Sequence, residues 1–144
     1  MSSFTDEPEY EISPDGRTAT ITHGFEFHLG HKNSGDYVAV LAGQTTDGLT
    51  MPAWAEPLFR RFAPRWSCIK AVMVHDQLCK DRFYIDQTHY GTAVDYQIDQ
   101  KTIDGIFLEA LLVSKINPIR AHVYYCLVRI YQDYTAFKRW AMDF

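Results

Sequence analysis

Four side chains have the types and spacing of an acid–base site: Asp47, His75, Asp76 and Asp104. His75 stands in the run Ala71-Val72-Met73-Val74-His75-Asp76, and on a helix it shares a face with Cys68, Val72 and Cys79. That face is apolar, so the imidazole is expected to be at least partly buried. Asp104 lies three, four and seven residues before Phe107, Leu108 and Leu111, on the face its own helix should bury. A buried carboxylate needs a partner, and a histidine on an adjacent helix is the obvious one. Asp104 against one nitrogen of His75 would fix the tautomer and raise the basicity of the ring.

Asp76, Asp47 and the loop carbonyls around Asp47 would then offer oxygen ligands to a hard divalent cation, calcium or magnesium. Base, orienting acid and metal together suffice for hydrolysis by an activated water. A plainer reading stands beside this one for every residue. Asp47-Gly48 is an ordinary turn pair, and Asp104 is also a first-turn acid favoured by the helix dipole. The whole group equally describes a structural polar network that ties a loop to two helices.

The elements that must position these residues follow from periodicity. Tyr10–Ile12 and Ala19–Thr22 flank Ser13-Pro14-Asp15-Gly16 as a β-hairpin. Phe25–Leu29 alternates as a half-buried strand, Gly30–Asp36 is a polar turn, and Tyr37–Leu41 is the partner strand. These strands form an N-terminal antiparallel sheet ending near residue 42, within a β-rich part of residues 8–48 that closes on the glycine-bounded loop Gly43-Gln44-Thr45-Thr46-Asp47-Gly48. The period then becomes helical. A short helix is expected over Pro52–Phe62, then longer ones over Trp66–Lys80, Lys101–Lys115 and Asn117 to about Tyr134. Phe83–Asp99 reads as a long loop with room for short strands, and residues 136–144 as an aromatic tail. The expected fold class is α+β: one domain, antiparallel hairpins followed by three to four packed helices.

Composition narrows the function. The 144 residues are 47% hydrophobic and 22% charged, as in an ordinary globular domain. A net charge of -4 argues against a dedicated nucleic-acid partner. Arg60, Arg61 and Arg65 are the one dense basic cluster, read as a solvated face. Three cysteines, Cys68, Cys79 and Cys126, fit no metal-ligand spacing and are expected to be reduced, small hydrophobes in helices. His28 and His31 are expected to be exposed. No signal peptide, membrane span, phosphate-binding loop, nucleophile elbow or zinc helix is visible.

The run Leu41 to Pro52 resembles the phage-encoded domain-of-unknown-function family numbered 1353. That family shows a strand, a T-D-G-A-S-x-P loop, a helix ending in A-x-x-x-H-D, and a helix with R-x-x-A-D-x-x-F. Thr46, Asp47, Gly48 and Pro52 match the loop; Ala71, His75 and Asp76 match the first helix; Asp104 and Phe107 match the second. Departures are Lys101 for arginine, Ile103 for alanine, Leu49-Thr50 for alanine-serine, and Gln77-Leu78-Cys79 for the usual Y-L-Y. The His-Asp pair with a distant aspartate is also similar to the phospholipase A2 arrangement. By that analogy His75 would be the base, Asp76 a calcium ligand and Asp104 the orienting acid.

The resemblance implies a phage protein made in the host cytoplasm. Its expected role is a virion or assembly component that docks on other phage proteins through its sheet edge or the aromatic residues Tyr134, Phe137 and Trp140. The alternative is a metal-assisted hydrolase of a lipid or cell-envelope substrate, with His75 as general base. A small inhibitor of a host protein is a third class that leaves no mark in the sequence.

Overall fold

The structure, a computed structural model, describes residues 2–30, 36–49, 51, 53–81, 85–86, 92–93, 98–114 and 116–142. Its architecture is α+β, as expected, but the strands divide between two antiparallel sheets. Strand β1 spans Ser3–Phe4, β2 Glu9–Ile12, β3 Ala19–His23, β4 Phe25–His28, β5 Asp36–Val40 and β6 Thr45–Thr46. Within the stretch expected as a loop, β7 is Ile85–Asp86 and β8 is Thr92–Ala93; Phe83 and most of its neighbours there lie outside the described residues. One sheet runs β2-β3-β6 and the other β1-β4-β5-β7-β8.

The two expected hairpins are therefore both present and belong to different sheets. The hinge between them is Gly24, separating β3 from β4. A Cβ there would sit 2.4 Å from the carbonyl oxygen of Val40, so only glycine lets the chain change sheets against β5. Alternation then decides the inward side: Phe25 and Phe27 on β4 pair in register with Val40 and Val38 on β5, and all four are buried. His28 is buried as well, stacked 5.1 Å from the Tyr37 ring and 3.2 Å from Glu26 Oε1. The expected exposure of His28 fails because Tyr37 lies directly opposite it across the pair. His31 lies outside the described residues.

A 3-10 turn over Ala53–Ala55 leads into the short α1, Glu56–Phe59, with Pro57 in its first turn, where the missing backbone donor costs nothing. Pro52 lies outside the described residues. Helix α2 spans Ile69–Asp81 and starts later than its periodicity indicates, because Cys68 adopts a left-handed φ of 53°. It packs between β5 and α3, Gln100–Val113, and so buries Ala71 to His75 together with Gln77 and Leu78. Asp99 caps α3 by accepting a hydrogen bond from the Thr102 amide at 2.7 Å.

Helix α4 runs from Pro118 to Met142 and packs against α3 through Ala121, Tyr124, Leu127 and Val128. Residues 136–142 are thus helix rather than a tail, since no glycine or proline interrupts the chain after Pro118. Cys126, expected as a small hydrophobe in a helix, lies on α4 and is exposed. Arg60 is not a purely solvated charge: it pairs with Glu56 and donates to the Leu49 carbonyl at 2.9 Å. None of the described helices is long and apolar enough to cross a membrane.

Gly48 is the second glycine that the fold requires. Its φ is +82°, and a Cβ would meet the Arg65 carbonyl oxygen at 2.4 Å. The neighbouring Leu49 amide bonds to that same oxygen at 2.8 Å, so Arg65 cannot retreat without breaking the strap. We expect Gly48→Ala to destabilise the protein by roughly 2–4 kcal/mol and to lower the melting midpoint by about 5–15 °C. Thermal melting by circular dichroism checks this, and an unchanged midpoint would mean the strap does not hold the loop.

Candidate functional site

Asp104 has no exposed surface at all, yet it carries a carboxylate. Three donors from three positions satisfy it. His75 Nε2 on α2 donates to Oδ1 at 2.7 Å, Gln100 Nε2 one turn earlier on α3 donates to Oδ1 at 2.8 Å, and Arg129 Nη1 on α4 donates to Oδ2 at 2.8 Å. The helical spacing that places His75 and Asp104 on inward faces is what brings them into contact, as the sequence indicates. Phe107 closes the other side of the imidazole, with ring centroids 4.9 Å apart.

The second imidazole nitrogen, Nδ1, points toward Asp76, whose Oδ1 lies 3.7 Å away. The other oxygen of Asp76 accepts a hydrogen bond from the Thr46 hydroxyl, and Thr46 Oγ1 in turn accepts from the Gly48 amide at 3.1 Å. Loop, helix and imidazole are therefore one chain of polar contacts. Cys79, one turn after His75, sets its Sγ 3.7 Å from Nε2 and 3.9 Å from Nδ1, and Gln100 Nε2 donates to the same sulfur at 3.5 Å.

Asp76 and Cys79 form one wall of an open polar cleft of about 510 Å³; Gln44, Thr45, Thr46, Asp47 and Lys80 complete it. His75 and Asp104 lie beneath the cleft and do not line it. Asp47 reaches the cleft but is exposed, and its Oδ1 is 3.5 Å from the Thr18 hydroxyl. Its backbone carbonyl accepts from Arg65 at 2.8 Å. The structure thus joins Thr46, Gly48, His75, Asp76 and Asp104 in one network and leaves Asp47 at its rim. Among the described residues, no three His, Cys, Asp or Glu side chains are grouped to hold a metal ion. The side chains nearest to offering oxygen to a cation are Asp76, already bonded to Thr46, and Asp47.

Burial works against a charged imidazole at His75, but the hydrogen bonds of Asp104, Asp76 and Cys79 outweigh it and hold the pKa well above the ordinary histidine value. Burial likewise pushes the Asp104 carboxyl up, and His75, Arg129 and Gln100 outweigh it to hold that pKa below the ordinary range. His75 and Arg129 thus flank the Asp104 carboxyl from α2 and α4, while Asp76 stands on the far side of the imidazole. Sequence reasoning misses Arg129 and Gln100, and it places Cys79 on the His75 face without giving it a role. Gln100 and Cys79 had a signal, since each sits one helical turn from Asp104 or His75. Arg129 had only a faint one, an arginine within the apolar stretch Tyr124–Ile130.

An α+β domain with a buried His-Asp-Arg network beneath a threonine-aspartate loop is the class that fold and site define. The chain belongs to the family described as protein of unknown function (DUF1353), whose model matches residues 17–128. That span contains the loop, His75, Asp76 and Asp104. Among curated proteins and solved structures nothing matches the chain.

The raised pKa of His75 gives a stability signature. A group whose folded pKa exceeds its unfolded value of about 6.5 stabilises fully below that pH, and the contribution is lost as pH rises through the folded value. Asp104 acts on the acid side, stabilising above about 3.9 and losing its effect as pH falls through its lower folded value. We expect the gap in melting midpoint between wild type and His75→Gln to be widest at about pH 6 and to narrow steadily toward pH 9. Melting both proteins across that range measures it, and a gap that widens with pH would show that His75 is neutral in the fold.

Proposed function

We propose that this protein is a non-catalytic structural component of a bacteriophage, part of the virion or of its assembly, made in the host cytoplasm. What supports the structural half of this reading is the state of Asp104. Its carboxylate is fully buried and already has three donors, so no substrate can reach it. The imidazole is itself buried, and its Nε2 is committed to Asp104. What supports the phage setting is the ordered set of loop and helix motifs. The network's work in this reading is to hold α2, α3, α4 and the 45–48 loop in one arrangement so that the outer faces are presented to other phage proteins.

One observation favours a second reading, a hydrolase of a lipid or cell-envelope substrate. The Nδ1 side of His75 faces Asp76, and Asp76 borders the open polar cleft. A water entering past Thr46 would meet the imidazole on the side opposite its Asp104 bond, which is the placement an acid–base histidine needs. A calcium or magnesium ion in this reading would take oxygens from Asp76 and Asp47.

Melting of wild type, Asp104→Asn and His75→Ala, each with and without calcium or magnesium, separates the two. Removing one partner from a buried ion network costs about 3–5 kcal/mol, or roughly 10–15 °C in a domain of this size. The structural reading expects drops of that order in both variants and no response of the wild-type midpoint to either ion. A cation that raises the wild-type midpoint, and loses that effect in a folded Asp76→Asn protein, would overturn it in favour of the cleft.

A further inference from the structure

Helix α4 has two faces, and the core uses one. Ala121, Tyr124, Leu127 and Val128 face the body. Roughly a third of a turn away lies a second apolar line: Ile119, Val123, Cys126, Ile130, Tyr134 and Phe137, spaced by threes and fours. Of these, Ile119 is 75% exposed, Ile130 42%, Tyr134 50% and Phe137 62%. Along its N-terminal half this line forms one wall of a groove of about 680 Å³, almost wholly apolar, whose opposite wall carries Trp54 and Leu58. Along its C-terminal half the line continues as a ridge, with Trp140 beside Phe137 at 5.8 Å between ring centroids.

We propose that this face pairs with the same face of a second copy of the chain, antiparallel, about a two-fold axis at Ile130. The reading deepens the assembly role proposed above by naming a partner. It rests on that reading only in treating the protein as something that assembles; of the His75 network, Arg129 alone reaches this face.

Three features of the chain point to a second copy. The first is shape. Groove and ridge lie on one continuous helix, and Ile130 is the midpoint of the 25 residues from Pro118 to Met142. An antiparallel copy centred there lays Tyr134 over Cys126 and Phe137 over Val123, and brings Trp140 beside Ile119. Each ridge then fills the other's groove, the self-complementary arrangement that an isologous dimer requires. The second is charge. Arg129 and Asp133 stand on one flank of the line, 3.4 Å apart within the chain. The two-fold sets Asp133 of each copy beside Arg129 of the other, so each pair is matched twice. The other flank brings Lys138 near Arg120, a rim position that water screens, where Arg120 is already drawn over the Phe62 ring at 4.9 Å.

The third feature is area. The large apolar side chains of groove and ridge expose on the order of 1,000 Å² per copy, judged from the 150–250 Å² that an aromatic buries. A standard-size interface takes about 800 Å² from each partner. The paired helices would run side by side for about 37 Å.

Sedimentation velocity of the full chain across micromolar concentrations tests this. The wild type is expected to sediment as twice the 16.7 kDa of one chain. Ile130→Glu places two like charges face to face on the axis and is expected to return the single-chain mass with an unchanged circular dichroism spectrum. Phe137→Glu, at a more exposed position, is expected to do the same. Mixing Ile130→Glu with Ile130→Lys is expected to restore the dimer, because only a symmetric contact brings residue 130 against itself. A wild type that stays monomeric overturns the proposal and leaves the face to a different kind of partner. A dimer that survives both glutamate variants, or a mixture that fails to pair, overturns the α4 face or its register. None of these outcomes touches the melting results on His75, so the two readings fail separately.

Discussion

A carboxylate with no access to water has to be answered by donors, and the helical half of this protein is arranged around answering one. An uncompensated charge in a protein interior is far more costly than any single contact can offset. Asp104 is tolerated at the centre of the helix packing only because His75 arrives from α2, Gln100 from the preceding turn of α3 and Arg129 from α4. Each donor comes from an element whose apolar residues also fill the core. The positions of the three helices and the satisfaction of Asp104 are thus one condition rather than two.

The condition extends outward through His75. Its Nε2 bond to Asp104 and the approach of Asp76 to Nδ1 raise the pKa of the ring, and Asp76 carries the connection on to Thr46 and the Gly48 amide. The loop after β5 consequently takes its shape from two sides. Thr46 reaches down to the helix, while the Leu49 amide and the Arg65 carbonyl strap it from the side. Gly48 permits that close approach, and its φ of +82° is the conformational mark of it. A polar network of this kind favours one arrangement of elements over near alternatives, because any slip strands a buried charge.

Helix α4 shows how one element serves two purposes. Its inward side chains and Arg129 belong to the body, and its second apolar line, from Ile119 to Phe137, belongs to the surface. Arg129 stands between the two: Nη1 holds Asp104, and Nη2 lies near Asp133 on the outer flank. The acid at the centre of the core and the face proposed for self-association therefore meet at a single guanidinium.

Much of this was legible from residue order alone. Alternation in Phe25–Leu29 and Tyr37–Leu41 and the turn chemistry of Ser13–Gly16 located the hairpins, and the 3.6-residue period set His75 and Asp104 facing inward. These features are local, decided by backbone geometry and by which face of an element is apolar. The division of strands between two sheets was not legible, because it depends on Gly24 passing close to the Val40 carbonyl, 16 residues away in sequence. The later start of α2 turned on one left-handed residue, Cys68, which carries no glycine to announce it. The burial of His28 turned on Tyr37 across the strand pair, and the length of α4 on the absence of any breaker before Met142. Arg129 is the plainest case: that a buried aspartate needs a cation follows from its charge, but which cation supplies it is settled only when α4 docks on α3. Sequence determined the elements, their inward faces and the need for a partner. Tertiary packing decided which side chain met that need, because electrostatic satisfaction depends on distance in space and not along the chain.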